Sequence, residues 1–475
     1  SPRCICYHKT MKILRLAILL GLSLFVKREL LATSLPDMWA ERVKSVVAID
    51  YVTETEDERR MSTAYGVAID SEGTIILPSA AISVRVDPKR LSRFRAYIPG
   101  EAVGSDATYL GQDSYTGWHY VKVSKQMASE LIPITKWMAP KTSKKLGLSD
   151  FVWGIGLRNK EEDFIPYLMQ SHIAIIESLP QVTAIAQQEI AGPGLPVFDE
   201  AGYFVGLATS SFAQTYLQFS KMDRVGSPVM LVDVEESSAF LVSDEVLPVL
   251  DRRPEHVSGR PLAWFGAYGL EPLDREAASF LGLSNQSSVV VSEVLEDSPA
   301  EKAGMKAHDI IVGVDSVDLP RFRPDRVSTE YVERSVLKHR PGDNLKLTVL
   351  RGANRINLTV VLGDEPKLIR EADRKYFERL GLTVREFVYA DAIERRTSVK
   401  SISGAIVSYI KSNSAIDGSG LMPDDWIKEI DGNPVDSFAE VIKKLTVIEN
   451  DLKRKEFVLL VSRGTETAVL RVKLH

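Results

Sequence analysis

Acyl transfer to a side chain requires a Ser, Cys or Thr activated by a neighbouring base. This 475-residue chain is sparing with thiols and bases. Its two cysteines, Cys4 and Cys6, precede Met11, which reads as the initiator, so residues 1–10 look like upstream read-through. The mature chain would then hold no thiol and no disulfide. The seven histidines are scattered, and none lies between His8 and His119. No Cys/His cluster has metal-ligand spacing, so neither metal nor other cofactor is expected. Thr209, Ser210 and Ser211 offer hydroxyls after an apolar run, but no Gly-x-Ser-x-Gly elbow surrounds them.

The elements that would carry any site divide into three blocks. Composition is that of a soluble globular protein, with 44% hydrophobic and 26% charged residues. A net charge of −5 argues against a nucleic-acid binder. The short basic run from Lys89 to Arg95 reads as a solvated loop or strand edge. Residues 11–34 read as an export signal: a basic start, an apolar stretch from Leu16 to Val26, and small residues at Ala32-Thr33-Ser34. The apolar stretch is shorter than the roughly 20 residues of a spanning helix. Lys27, Arg28 and Glu29 leave an uncleaved anchor open. Polar breaks at residues 251–256 and 363–367 place domains at 35–250, 260–363 and 376–475.

The last two blocks repeat each other roughly every 115 residues, too long a period for a solenoid. Ser298-Pro299-Ala300 and Ala303-Gly304 lead to Asp309-Ile310-Ile311. Ser414-Ala415-Ile416 and Gly420-Leu421 lead to Asp425-Trp426-Ile427. Each copy then has an amphipathic helical stretch, around Tyr331–Leu337 and Phe438–Leu445. Each closes on two strands turning at Arg351-Gly352 or Arg463-Gly464.

These copies resemble PDZ domains in the permuted form of bacterial exported proteases. In that family a short loop of aromatic or aliphatic, Gly, then aliphatic residues precedes the strand that receives a peptide. Trp264-Phe265-Gly266-Ala267 matches it in the first copy and Arg379-Leu380-Gly381-Leu382 in the second. Glycine lets successive N–H groups converge on a terminal carboxylate, and the peptide then adds as an edge strand. Tyr331 and Leu337, or Val441 and Leu445, are expected to wall a side-chain pocket. Where the family has Gly before the Asp, both copies depart from it, with His308 and Asp424. The second copy also lacks the Ser-Pro-Ala and Ala-Gly phrases, so it departs further from the family than the first.

Residues 35–250 read as mostly β, with short runs such as Thr74–Leu77 and Phe151–Leu157 between turns, and a helical start near Trp39. In order and spacing they resemble the trypsin-like domain of HtrA (DegP-type) proteases, which implies a double β-barrel with the active site between the barrels. The whole chain would thus be mostly β with some α, a trypsin-like double barrel followed by two α+β PDZ domains. Laid on the family's three catalytic landmarks, Ala80 falls at the histidine, Gly117 at the aspartate and Pro193 at the serine. No Ser, Thr or Cys occurs from Glu189 to Phe198. Proline also lacks the N–H that would form half of an oxyanion hole, a donor worth about 10²–10³ in rate. His119, two residues beyond Gly117 along a strand, is a conceivable relocated base, with an ordinary structural histidine as the simpler reading.

The resemblance thus implies an exported pseudoprotease that acts as a scaffold, adaptor or chaperone-like holder in envelope protein quality control. It would bind C-terminal or extended peptides and assemble as a homo-oligomer, by family a trimer. An active serine endopeptidase and a regulatory subunit of an active paralogue stay open as alternatives.

Overall fold

Short β-branched runs broken by Gly, Pro and polar turns form strands, as their period predicts. The computed structural model describes residues 34–474 except 55–57, 84–85, 114, 179, 210–215, 220–227, 233–236 and 258–261. Residues 11–33 of the expected export signal lie outside the described residues, as do Ser210 and Ser211.

The first barrel comprises β1 (Val46–Glu54), β2 (Arg59–Ala68), β3 (Thr74–Leu77), β4 (Leu91–Tyr97), β5 (Ser105–Gln112) and β6 (His119–Val123). It closes in the order β1-β2-β3-β6-β5-β4. The second uses β7 (Phe151–Leu157), β8 (Pro166–Glu177), β9 (Thr183–Ala186), β10 (Pro196–Asp199), β11 (Phe204–Ala208) and β14 (Ala239–Val242). Its order, β7-β8-β9-β14-β11-β10, is the same path, so the two barrels share one topology. A separate hairpin, β12 (Tyr216–Phe219) and β13 (Pro228–Val232), interrupts the last connection. Val47, Ile49, Ile75 and Phe94 fill the first barrel. A larger apolar cluster, including Val46, Val67, Trp153 and Phe198, joins the second barrel to the flank of the first. Burial of this seam removes apolar area from water and fixes the cleft between the barrels.

Two smaller modules follow. In the first, β16 (Ala267–Pro272), β17 (Val289–Val294), β18 (Ile310–Val314), β20 (Asn344–Arg351) and β21 (Asn354–Val361) lie side by side, with β19 (Val317–Asp318) on β18. β15 (Ala263–Trp264) pairs with β22 (Gly363–Asp364). In the second, the order is β23 (Arg374–Phe377), β24 (Leu382–Glu386), β25 (Ala405–Ile410), β26 (Trp426–Ile430), β28 (Glu456–Arg463) and β29 (Glu466–Lys473), with β27 (Asn433–Pro434) on β26. Helices Val327–Leu337 and Phe438–Asn450 cover the two sheets through Val332 and Val336, and through Val441, Leu445 and Ile448. β23 begins slightly ahead of the boundary expected at 376.

The repeat is geometric as well as sequential. Asp309 and Asp425 are fully buried, and each accepts two 2.7 Å bonds from an arginine, Arg351 and Arg463 respectively. Each arginine also donates to the carbonyl of Gly304 or Gly420 at 2.8 Å. His308 and Asp424 hold φ of +67° and +68°, a left-handed conformation that explains a family preference for glycine there.

Candidate functional site

Pairing of Leu77 with His119 sets the turn after β3 beside the loop before β6. A Cβ built on Gly117 would lie 2.8 Å from the Ser79 Cβ, and one on Gly194 would lie 2.5 Å from the Pro78 Cδ. The turn bearing Ala80, the loop bearing Gly117 and the loop bearing Pro193 therefore meet between the barrels. They border a cavity of about 220 Å³ whose lining includes Ser79, Thr116, Trp118, Thr183, Gly194 and Thr209. Among the described residues lining it there is no histidine and no carboxylate. Three of its hydroxyls are bonded elsewhere. Thr116 donates to Asp113 at 2.8 Å, Thr183 to the Gln181 carbonyl at 3.3 Å and Thr209 to the Ala239 carbonyl at 3.1 Å. Asp113 also accepts from the Thr116 N–H and pairs with Arg252 at 3.3 Å, which makes it a loop-fixing acid.

The Pro193 loop is a closed turn. Leu195 donates its N–H to the Gly192 carbonyl at 3.0 Å, with Gly194 at φ +80°. Proline second and a positive-φ glycine third define a type II turn. Gly194 donates to Ala208 at 2.9 Å and Gly192 to Ile155 at 3.1 Å. Pro193 has no N–H. Every amide hydrogen of the stretch 192–195 is thus absent or already bonded within the fold, and an oxyanion placed there would meet no free donor.

His119 faces away from this cavity, into the first barrel. It is 2% exposed. Its Nε2–H donates to the Ser79 carbonyl at 3.3 Å, which leaves Nδ1 to accept the Tyr109 hydroxyl at 2.8 Å. Burial pushes its pKa down to about 4. A ring neutral at pH 7 could serve as a base, but both nitrogens already have partners within the first barrel.

In the first module, Gly266 holds φ +82°, and a Cβ there would meet the Ser298 Cβ at 2.2 Å. Phe265 is buried in the module core, and its carbonyl accepts the Ala300 N–H at 2.7 Å. The Gly266 carbonyl accepts from Leu295 at 3.0 Å. Trp264 is half-buried, its ring 5.5 Å from Tyr389 of the second module, and the Tyr389 hydroxyl donates to the Glu296 carbonyl at 2.8 Å. From Ala267 onward β16 pairs only with β17, so among the described residues its other edge is open. Tyr331 packs on Phe322, ring centroids 5.0 Å apart. Leu337 lies at the helix end beside Leu262, Ala263 and the linker 251–255. Tyr115, from the Gly117 loop, sits between the guanidinium groups of Arg252 and Arg334, each 4.7 Å from its ring centre. Arg334 lies on the module's helix, so this stack ties the Gly117 loop to that helix.

The second module differs. The edge expected at Leu380, Gly381 and Leu382 is taken: β24 pairs with β25 on one side and with β23 on the other. Leu380 and Leu382 are fully buried, as are Val441 and Leu445. The Asp–Arg pairs went unnoticed in the sequence, although Asp309 with Arg351 and Asp425 with Arg463 stand at matching points of the repeat.

Residues 269–362 match the family model of the PDZ domain. The chain is 27% identical over 199 residues to a probable periplasmic serine endoprotease DegP-like of Ectopseudomonas mendocina (strain ymp), covering 38% of each chain. It is 25% identical over 281 residues to the protein of that description from Brucella suis biovar 1 (strain 1330), covering 57% of this chain and 47% of that one. The matches thus span less than half the length of these relatives. Among solved structures, an HtrA-type protease AlgW with decapeptide aligns over 71% of this chain and all of that one, with 17% identity and a TM-score of 0.49. By sequence, the chain is similar to DegP-like serine proteases, and its residues 269–362 to the PDZ domain.

Proposed function

We propose that this chain is an exported pseudoprotease that binds C-terminal or extended peptides of envelope proteins through its first PDZ module. The observation that carries the loss of catalysis is the closed Gly192–Leu195 turn, with Pro193 at the nucleophile position and no free N–H beside it. Ala80 and Gly117 supply neither base nor orienting acid, so three triad roles and the oxyanion hole are missing together. Such losses leave only the small residual rate of a binding site. Peptide reception rests on the open edge of β16, the positive-φ Gly266 and the loop from Trp264 to Ala267. The shared Asp–Arg pairs and left-handed His308 and Asp424 support reading the second module as a PDZ domain too.

The periplasmic naming of the relatives supports an envelope location. In a homo-oligomer, avidity would multiply weak peptide contacts. A screen of immobilised free-carboxylate peptides tests the binding reading. A selected motif lost when the carboxylate is amidated supports it. Equal binding of amidated and free peptides, or none of either, contradicts it.

A further inference from the structure

We infer that the groove of the second module is already filled by its own chain, with Arg374–Phe377 as the bound strand and Glu449 as the bound carboxylate. β23 runs antiparallel to β24 in the register Arg374↔Arg385, Lys375↔Val384, Tyr376↔Thr383 and Phe377↔Leu382. The Glu386 N–H extends the pairing to the Asp373 carbonyl at 2.8 Å. This is the edge that β16 leaves open in the first module, and it is where an added peptide strand would have to pair. Helix Phe438–Asn450 packs against β23, so the strand lies where sheet and helix meet.

The side chain and the carboxylate have counterparts too. Phe377 is fully buried in a cluster with Leu382, Val441, Leu445 and Ile448, so an aromatic anchor occupies the pocket between strand and helix. At the loop that would hold a peptide terminus, the Arg379 N–H donates to the Glu449 carboxylate at 2.9 Å. The Gly381 N–H donates to the Phe377 carbonyl at 2.8 Å. The Arg379 guanidinium donates to the carbonyls of Glu449 at 2.7 Å and Asp451 at 3.0 Å, locking the loop to the helix end. An incoming peptide would have to displace a covalently attached strand, whose effective concentration is in the millimolar range or above.

The module is then a docking piece rather than a second receptor. Its Tyr389, Ser398 and Lys400 all engage Glu296 of the first module, beside Trp264. One peptide per chain follows.

Hydrogen exchange on the full chain tests this without requiring that any ligand bind. Without peptide, the amides of β23 and β24 are expected to exchange at least about tenfold more slowly than those of β16; a saturating pool of free-carboxylate hexapeptides ending in Val, Leu or Phe is expected to slow β16 and to leave β23 and β24 unchanged. The double substitution F377A/E449Q is expected to remove that difference, and the milder E449Q alone to narrow it. Exchange of β24 as fast as that of β16, or slowing of β24 by the pool, overturns the inference. A pool that protects neither module counts against peptide binding by the first module, whereas slow basal exchange of β24 still supports the filled groove.

Discussion

The Leu195 N–H and the Gly192 carbonyl, 3.0 Å apart, close a turn around Pro193, where the family resemblance places a serine nucleophile. The bond turns an oxyanion-binding loop into a self-satisfied one. On the proposed reading, a single change to serine here does not create a working site. Pro193→Ser adds a hydroxyl and an N–H, but Ala80 and Gly117 still supply neither proton acceptor nor orienter. Turnover of a fluorogenic peptide by P193S is expected to equal that of the unmodified chain. The turn should loosen only slightly, by about 1 kcal/mol or less in chemical unfolding.

His119 makes the barrel sensitive to acid. The folded ring titrates at about 4, whereas the unfolded ring titrates near 6.5. Between these values the unfolded state binds the proton and the folded state does not, so stability falls as pH drops from about 6.5 towards 4. The loss is at most about 3 kcal/mol. H119Q should flatten that slope. Urea midpoints at pH 7, 5.5 and 4 check it.

The Asp309–Arg351 pair acts at lower pH. Burial pushes the Asp309 carboxyl up, but Arg351 and the Lys306 N–H outweigh it and hold the group below its ordinary value. Its stabilisation is complete above the unfolded value of about 3.9 and fades as pH falls through the depressed folded value. Arg351 is 31% exposed, which screens the pair, so R351M should cost about 2 kcal/mol near neutrality. Thermal unfolding of this module from pH 6 to 2.5 would show the variant losing less stability below pH 4 than the parent.

Gly266 should tolerate no side chain. A methyl there would meet Ser298 at 2.2 Å and hold a strained φ. Ser298 also caps the helix Pro299–Lys302 through the Glu301 N–H, so displacing it removes a cap. G266A is expected to cost about 2–3 kcal/mol and to abolish peptide capture. G282A is the control, since Gly282 has φ +72° with nothing within 4 Å, and should cost about 1 kcal/mol with capture intact. Calorimetry and fluorescence anisotropy of a labelled peptide read both effects.

The sequence made the double barrel legible because its landmarks are local strings between turns. Ala80, Gly117 and Pro193 stand where the family resemblance puts His, Asp and Ser. The bonding of the Gly192–Leu195 amides was not legible, since their partners, Ile155 and Ala208, come from other strands of the second barrel. The second module's filled groove was hidden for the same reason. Arg374–Phe377 reads like any strand, and Glu449 like any solvent-facing helix residue, until folding brings them to Leu382 and Arg379. Helical spacing points to Tyr331 and Leu337 as pocket walls but does not show their neighbours, Phe322 and the linker 251–255.

The central claim is best tested by counting new chain ends in unfolded casein after overnight incubation with the purified chain, using terminal labelling and mass spectrometry. The account predicts no ends beyond those of a protein-free control. New ends that disappear when Thr209, Ser210 and Ser211 are replaced would contradict it.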